Sequence, residues 1–306
     1  MRPLSPINAP GVTGSVARVS ALRAAGVPKW RLYAEDVPRV LHGVAVVPGL
    51  DPESLAVRVS ALHVLMRPGR FISRRTAAEL YEIPLIRSGG PLSVGAIRPQ
   101  RPPKHREIAG HQLRPGALSE LPGAPSWLPR PADVWGLLAA CSSPDELVVA
   151  GDFLVSGASR YEAPLCRLQE LESTVQRFEG CTGVAALRTA LPLLRTGVES
   201  PSETLLRLRI TAAGLPEPRT CCPVPVLGRV LHADLGYPEL RIAIDYDGEY
   251  HFDSGVEQRR RDNARREAMR DAGWTVLVVT AIDLRDPREF LARLANAIAK
   301  ARAAMV

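Results

Sequence analysis

Between Val230 and His251 the chain reads VLHADLGYPELRIAIDYDGEYH, two short apolar runs separated by Gly236, Tyr237, Pro238 and Glu239. Side chains of a strand point alternately to its two faces. Leu240, Ile242, Ile244 and Tyr246 therefore share one face, and Arg241, Ala243, Asp245 and Asp247 the other. Val230, His232 and Asp234 share a face of the preceding run. The Gly-Tyr-Pro-Glu cluster is a turn signal, so the two runs are predicted to pair as an antiparallel hairpin with Pro238 to Arg241 as its loop. That register sets Asp234 directly across from Asp245. Like charges facing each other across a ladder destabilise it unless a cation or a proton lies between them. A hard divalent cation such as magnesium, which takes oxygen ligands, is the economical reading of the three carboxylates.

The flanking segments extend the hairpin into a domain. Ser200, Pro201 and Glu203 form a capping-box pattern with proline at the first helical position. Ser254 to Ala272 reads as a helix carrying Arg259, Arg260, Arg261, Arg265, Arg266 and Arg270. Gly273 stops it, and Trp274 to Thr280 reads as a buried strand. A last helix opens at Asp286-Pro287-Arg288-Glu289, with Phe290, Leu291, Leu294 and Ile298 on its inner face. Helix, hairpin, helix, strand, helix predicts an α/β domain with a mixed sheet flanked by helices.

These residues resemble the PD-(D/E)XK superfamily of restriction-endonuclease-like nucleases, and in particular the small domains related to very-short-patch repair endonucleases. The resemblance covers roughly Glu199 to Ala304, through SPSETLLRLRITAAGLPEP, ADLGYPELRIAIDYDGEYH and DAGWTVLVVTAIDL. It implies that Asp234 is the first metal-binding aspartate and that Asp245 is the acidic residue of the D/E-X-K element, with Tyr246 as X. It implies further that Glu203 is the acidic residue on the helix before the sheet, and that His251 is the histidine following the aspartate-glycine pair. The lysine position holds Asp247, and the chain has only Lys29, Lys104 and Lys300. Related domains carry an acid-X-Asp-Gly pattern here, so a metal- and histidine-dependent variant is the first implication and an inactive domain the second.

A site of this kind would hold magnesium (or manganese) through Asp234, Asp245 and Glu203, with the metal generating the nucleophile from a bound water. Asp247 or His251 would orient that water or take its proton. Simpler readings stand beside these roles. Glu203 is also explained as a helix cap, Asp247-Gly248 as a turn, and His251 as a surface residue. The arginine helix either holds phosphates through Arg259, Arg260, Arg265 and Arg266, or is a solvated helix whose Glu257–Arg261 and Asp262–Arg266 spacings form ion pairs.

The formal net charge of +7 lies upstream, since residues 199 to 306 hold 16 basic and 16 acidic side chains. A basic N-terminal region favours a nucleic-acid partner. Ser15 to Ala25 has Val16, Val19 and Leu22 at helical spacing, and Gly26-Val27-Pro28 breaks the pattern. Lys29 to Tyr33 begins a second short helix, and Val40 to Val47 reads as a strand or wing. This pattern resembles the winged-helix domain of AbiEi-type abortive-infection antitoxins, which implies DNA contacts from Lys29 and Arg31. SRRTAAELYEIPL and ADVWGLLAACSSPDELVVAGDFLV are similar to later helices of that family, and RPQRPPKHR between them reads as a solvated loop ahead of the alternative, a tail that grips DNA.

The expected organisation is a winged-helix-like domain over 1–50, a mixed α/β region with a helical connector over 51–198, and the endonuclease-like domain over 199–306. The five cysteines show no CxxC spacing, which argues against structural zinc. No apolar run is long enough to span a bilayer, and MRPLSPINAP lacks the apolar core of a signal peptide, so a cytoplasmic protein without a membrane partner is expected. The leading functional expectation is a metal-dependent DNA endonuclease in defence or repair. Its alternative is a DNA-binding regulator or antitoxin-like protein with an inactive nuclease fold. A homodimer and a toxin or defence-system partner remain open.

Overall fold

A computed structural model describes residues 16–46, 48–85, 89–156, 163–247 and 256–305, with the side chains of 256, 258 and 259 set aside. It is a mixed α/β fold with sheets of two, three and four strands among the described residues. The chain divides into two compact units, Met1–Cys141 with Ser173–Val184, and Ser142–Glu172 with Ala185–Val306.

The first unit begins with β1 (Val16–Arg18), α1 (Val19–Ala24), α2 (Lys29–Leu32) and β2 (Val44–Val46). β1 and β2 pair antiparallel, and Leu22, Leu32, Val37 and Ala45 close a small core beneath them. After α3 (Leu55–His63) come β3 (Arg70–Ile72), α4 (Arg74–Leu80), β4 (Leu92–Ile97), β5 (Ile108–Leu113) and α5 (Pro131–Leu138). β4 lies central, antiparallel to β3 and parallel to β5. A Cβ on Gly95 of β4 would stand 2.1 Å from the Phe71 ring, so only glycine lets that ring lie across the strand.

Helices α6 (Pro144–Ser156), α7 (Leu168–Arg177) and α8 (Val184–Ala190) follow, the last two carrying the chain across the division. The second unit continues with α9 (Pro201–Ala212), β6 (Arg219–Val226), β7 (Arg229–Tyr237), β8 (Ile242–Asp247), α10 (Val256–Asp271), β9 (Thr275–Thr280), α11 (Ala281–Arg285) and α12 (Arg288–Ala303). The sheet order is β6-β7-β8-β9, with β8 parallel to β9 and the other pairs antiparallel. β6 was not expected, because Pro223 and Pro225 interrupt its pattern; it lies at the edge, where a missing N–H costs no ladder bond. The β7–β8 turn is Pro238–Leu240 followed by Arg241 in the left-handed region at φ +48.

Each face of this sheet has its own core. Ile242 and Ile244 of β8 pack with Leu206, Phe290, Leu294 and Ile298 from α9 and α12. Ala243, on the opposite face, packs with Cys222, Val224 and Met269 of α10. Burying one such large apolar side chain contributes about 1.5–3 kcal/mol. α6 joins this unit through Asp152, whose Oδ2 accepts from Thr204 Oγ1 and Arg207 Nη2 of α9, both at 2.8 Å. The second unit thus takes α6 in with the expected C-terminal domain. No described helix is long and apolar enough to cross a membrane.

Candidate functional site

The carboxylates singled out in the sequence sit where β7, β8 and α10 meet. Backbone pairing of β7 with β8 runs from Tyr237↔Ile242 to Leu235↔Ile244, and the next position in that register sets Asp234 against Asp245. There the regular alternation of β7 breaks. Leu235 packs with Ile244, whereas Ala233, two residues away, packs in the other cluster with Cys222 and Ala243. Across the gap, Cys221 of β6 has φ +46. Asp234 Oδ2 accepts the Tyr246 N–H at 2.6 Å, so a carboxylate replaces the strand carbonyl that β8 would otherwise meet. Burial pushes the Asp234 carboxyl up to about 6; the Tyr246 N–H opposes this and the charge of Asp245 adds to it.

Asp245 is fully buried. Its Oδ2 accepts from Arg265 Nη2 at 3.0 Å and contacts Arg266 Nε at 3.4 Å, while Oδ1 is buried without a hydrogen-bond partner. Asp247 accepts from Arg266 Nη1 at 3.0 Å, and Arg265 Nη1 also donates to the His232 carbonyl. Arg265 and Arg266, read from the sequence as phosphate contacts, are therefore turned inward and engaged with the acidic strand. Arg266 is 8 % exposed and lies three residues before Met269 of the core, on the same face of α10.

Glu203 is buried on the first turn of α9. Its Oε1 accepts from Ser200 Oγ at 2.7 Å, its Oε2 accepts from the Glu199 N–H at 3.0 Å, and Ser200 Oγ accepts the Glu203 N–H at 3.3 Å. Burial pushes its carboxyl up to about 7, against the Glu199 N–H, and the charge of Asp234 adds to the rise. Both oxygens are thus used in the cap. As placed, Glu203, Asp234 and Asp245 do not make a three-ligand cradle, and no group of three or more His, Cys, Asp or Glu that could hold a metal occurs among the described residues. The cations beside Asp245 are arginines, which stay protonated near neutral pH and cannot take a proton from water as a lysine can.

His251 and the Arg259 side chain lie outside the described residues. Arg260, Arg261 and Arg270 of α10 are exposed, and Arg261 pairs loosely with Glu257 at 3.7 Å. Of the N-terminal residues read as DNA contacts, Lys29 is exposed beside Trp30. Arg31 is instead buried, with both terminal nitrogens on Asp36 at 2.8 Å, so it braces the turn after α2. No sequence signal marks the pairing of Asp245 with residues twenty positions away, because the contact is made by a helix crossing the sheet.

No protein-family model matches the chain, and no solved structure matches it. Over 142 residues it is 31 % identical to an uncharacterized protein of Mycobacterium tuberculosis strain CDC 1551 / Oshkosh, and to one of strain H37Rv to the same extent. The matched stretch is 45 % of this chain and 52 % of each relative, so the chain spans about half the length of the curated relatives it matches.

Proposed function

We propose that this chain is a DNA-binding protein of regulator or antitoxin-like type, whose C-terminal domain keeps a restriction-endonuclease-like sheet without its catalysis. The observation that carries the reading is the Asp245 carboxylate, held by Arg265 and Arg266 where the nuclease family has a metal ligand. Two guanidiniums supply there the positive charge that a cation would bring. The same pairs fix α10 against the sheet and leave Arg260, Arg261 and Arg270 outward, where arginine forks suit backbone phosphates. Exposed Lys29 and Trp30, in a winged-helix-like segment over 1–50, supply a second contact. The place of action is then the cytoplasm.

Anisotropy of labelled duplex DNA, with a plasmid-nicking assay in magnesium or manganese, tests the reading. Salt-sensitive binding without nicking is the expected result. Nicking that EDTA stops and Asp234→Ala abolishes would overturn it in favour of the second reading, a metal-dependent endonuclease. One observation favours that second reading: Asp245 Oδ1 is buried and unpartnered beside Asp234. Magnesium held by those two aspartates would act as a Lewis acid toward a phosphodiester.

A further inference from the structure

In the first unit, a cavity of about 190 Å³ is lined by residues of the three-stranded sheet, α5 and the 178–182 segment. Four of its lining residues are basic or titrate as bases, Arg74, Arg98, Arg114 and His111, and none is acidic. The topology sets two of the arginines together. β4 and β5 run parallel with Ile97 opposite Leu113, and the Arg98 N–H donates to the Leu113 carbonyl at 2.9 Å, so Arg98 and Arg114 leave adjacent strands side by side. Arg74 opens α4 two residues after β3, whose Ile72 pairs with Val94, so it reaches the cavity from the other end of β4; it lies in the left-handed region, at φ +44, an unfavourable conformation for a side chain of its size. His111 lies on β5, its Nε2 2.6 Å from Ser73 Oγ.

The charges here are not neutralised. Arg114 donates to the carbonyl oxygens of Arg177 at 2.6 Å and Glu179 at 3.2 Å, which orient the guanidinium without cancelling its charge. Among the described residues Arg74 and Arg98 make no ion pair, and Arg74 Nε is buried without a hydrogen-bond partner. A buried donor left open and like charges lining one cavity both cost free energy that an anion would recover. Burial, with the charge of Arg74, holds His111 down to about 4, so it is neutral near pH 7. The volume falls below the roughly 300–1,000 Å³ of pockets for drug-sized ligands, which suits one phosphate group and little more.

We propose that this cavity is a phosphate-binding site, with Arg74, Arg98 and Arg114 as its guanidinium donors, taking the phosphate of a mononucleotide or the terminal phosphate of a nucleic-acid strand. No residue of α10 lines this cavity, and the proposal does not depend on the reading of that helix. Calorimetric titration of the full chain with inorganic phosphate, a nucleoside 5′-monophosphate, and matched 5′-phosphorylated and 5′-hydroxyl oligonucleotides tests it. Saturable phosphate binding, weakened at least tenfold in Arg98→Gln and in Arg74→Gln, is the expected result. Arg98 is exposed, so its variant keeps the fold even if Arg74→Gln does not.

Tighter binding of the phosphorylated oligonucleotide than of the mononucleotide identifies the strand end as the source; the reverse order identifies the free nucleotide. The absence of saturable binding by any of these probes, or affinities unchanged in the soluble folded variants, overturns the proposal. A chain that fails to bind duplex DNA yet retains phosphate binding lost in Arg98→Gln would refute the proposed function and leave the cavity assignment intact.

Discussion

Two groups of arginines, one in each unit, are held in opposite ways. In the second unit Arg265 and Arg266 lie against Asp245 and Asp247, and Arg207, 1 % exposed, lies between Asp152 and Glu217. In the first unit Arg74, Arg98 and Arg114 line a cavity without an acid. Arginine content alone therefore does not locate a binding surface. A guanidinium matched to a buried carboxylate is spent on the fold, whereas one that meets only carbonyls or nothing keeps its charge for a ligand.

This contrast is open to attack by substitution. The largest effect is expected at Asp152, the fully buried partner of Arg207, whose removal leaves that buried guanidinium with only Glu217 and the Leu193 carbonyl: Asp152→Ala should cost about 3–5 kcal/mol in urea unfolding. Asp245→Ala should cost about 3 kcal/mol by releasing Arg265 and Arg266; a gain in stability would instead mean that Asp245 is a strained ligand kept for function. A pH series probes the carboxyls themselves. Asp234 and Glu203 are raised to about 6 and about 7, so the folded chain binds more protons than the unfolded chain above about pH 4. Their contribution to stability is present below the ordinary carboxylate range and is lost as pH rises through 6 to 7. The urea midpoint should therefore fall between pH 5 and pH 7.5, and Glu203→Gln should flatten that fall; an unchanged slope would show that Glu203 ionises normally. The smallest effects are expected in the unpaired group. Arg98→Gln and Arg260→Ala should leave the unfolding midpoint where it is, while Arg260→Ala lowers the salt dependence of DNA binding by about one unit in log–log slope.

Much of the second unit was legible from periodicity. The hairpin loop at Pro238–Arg241, the strand after Gly273 and the inner face of α12 at Phe290, Leu294 and Ile298 follow from alternation, turn residues and i, i+4 spacing. The capping role of Glu203 was legible as one of two readings, because Ser-Pro-x-Glu is a local pattern. β6 was not, since its prolines hide a strand that only an edge position permits. Nor was the burial of Arg31, which depends on Asp36 five residues later.

The sequence by itself determined where the chain turns, which residues alternate in and out, and that Asp234 and Asp245 belong on neighbouring strands, because these are properties of a few consecutive residues. Only the tertiary structure decided which charges meet. Asp245 and Arg265 come together because α10 crosses the sheet, and Arg98 and Arg114 stand side by side where β4 and β5 end, while Arg74 reaches the same cavity from the start of α4. Pairing is a property of distance in space, and a strongly buried charge is committed or left open by partners that sequence spacing does not encode.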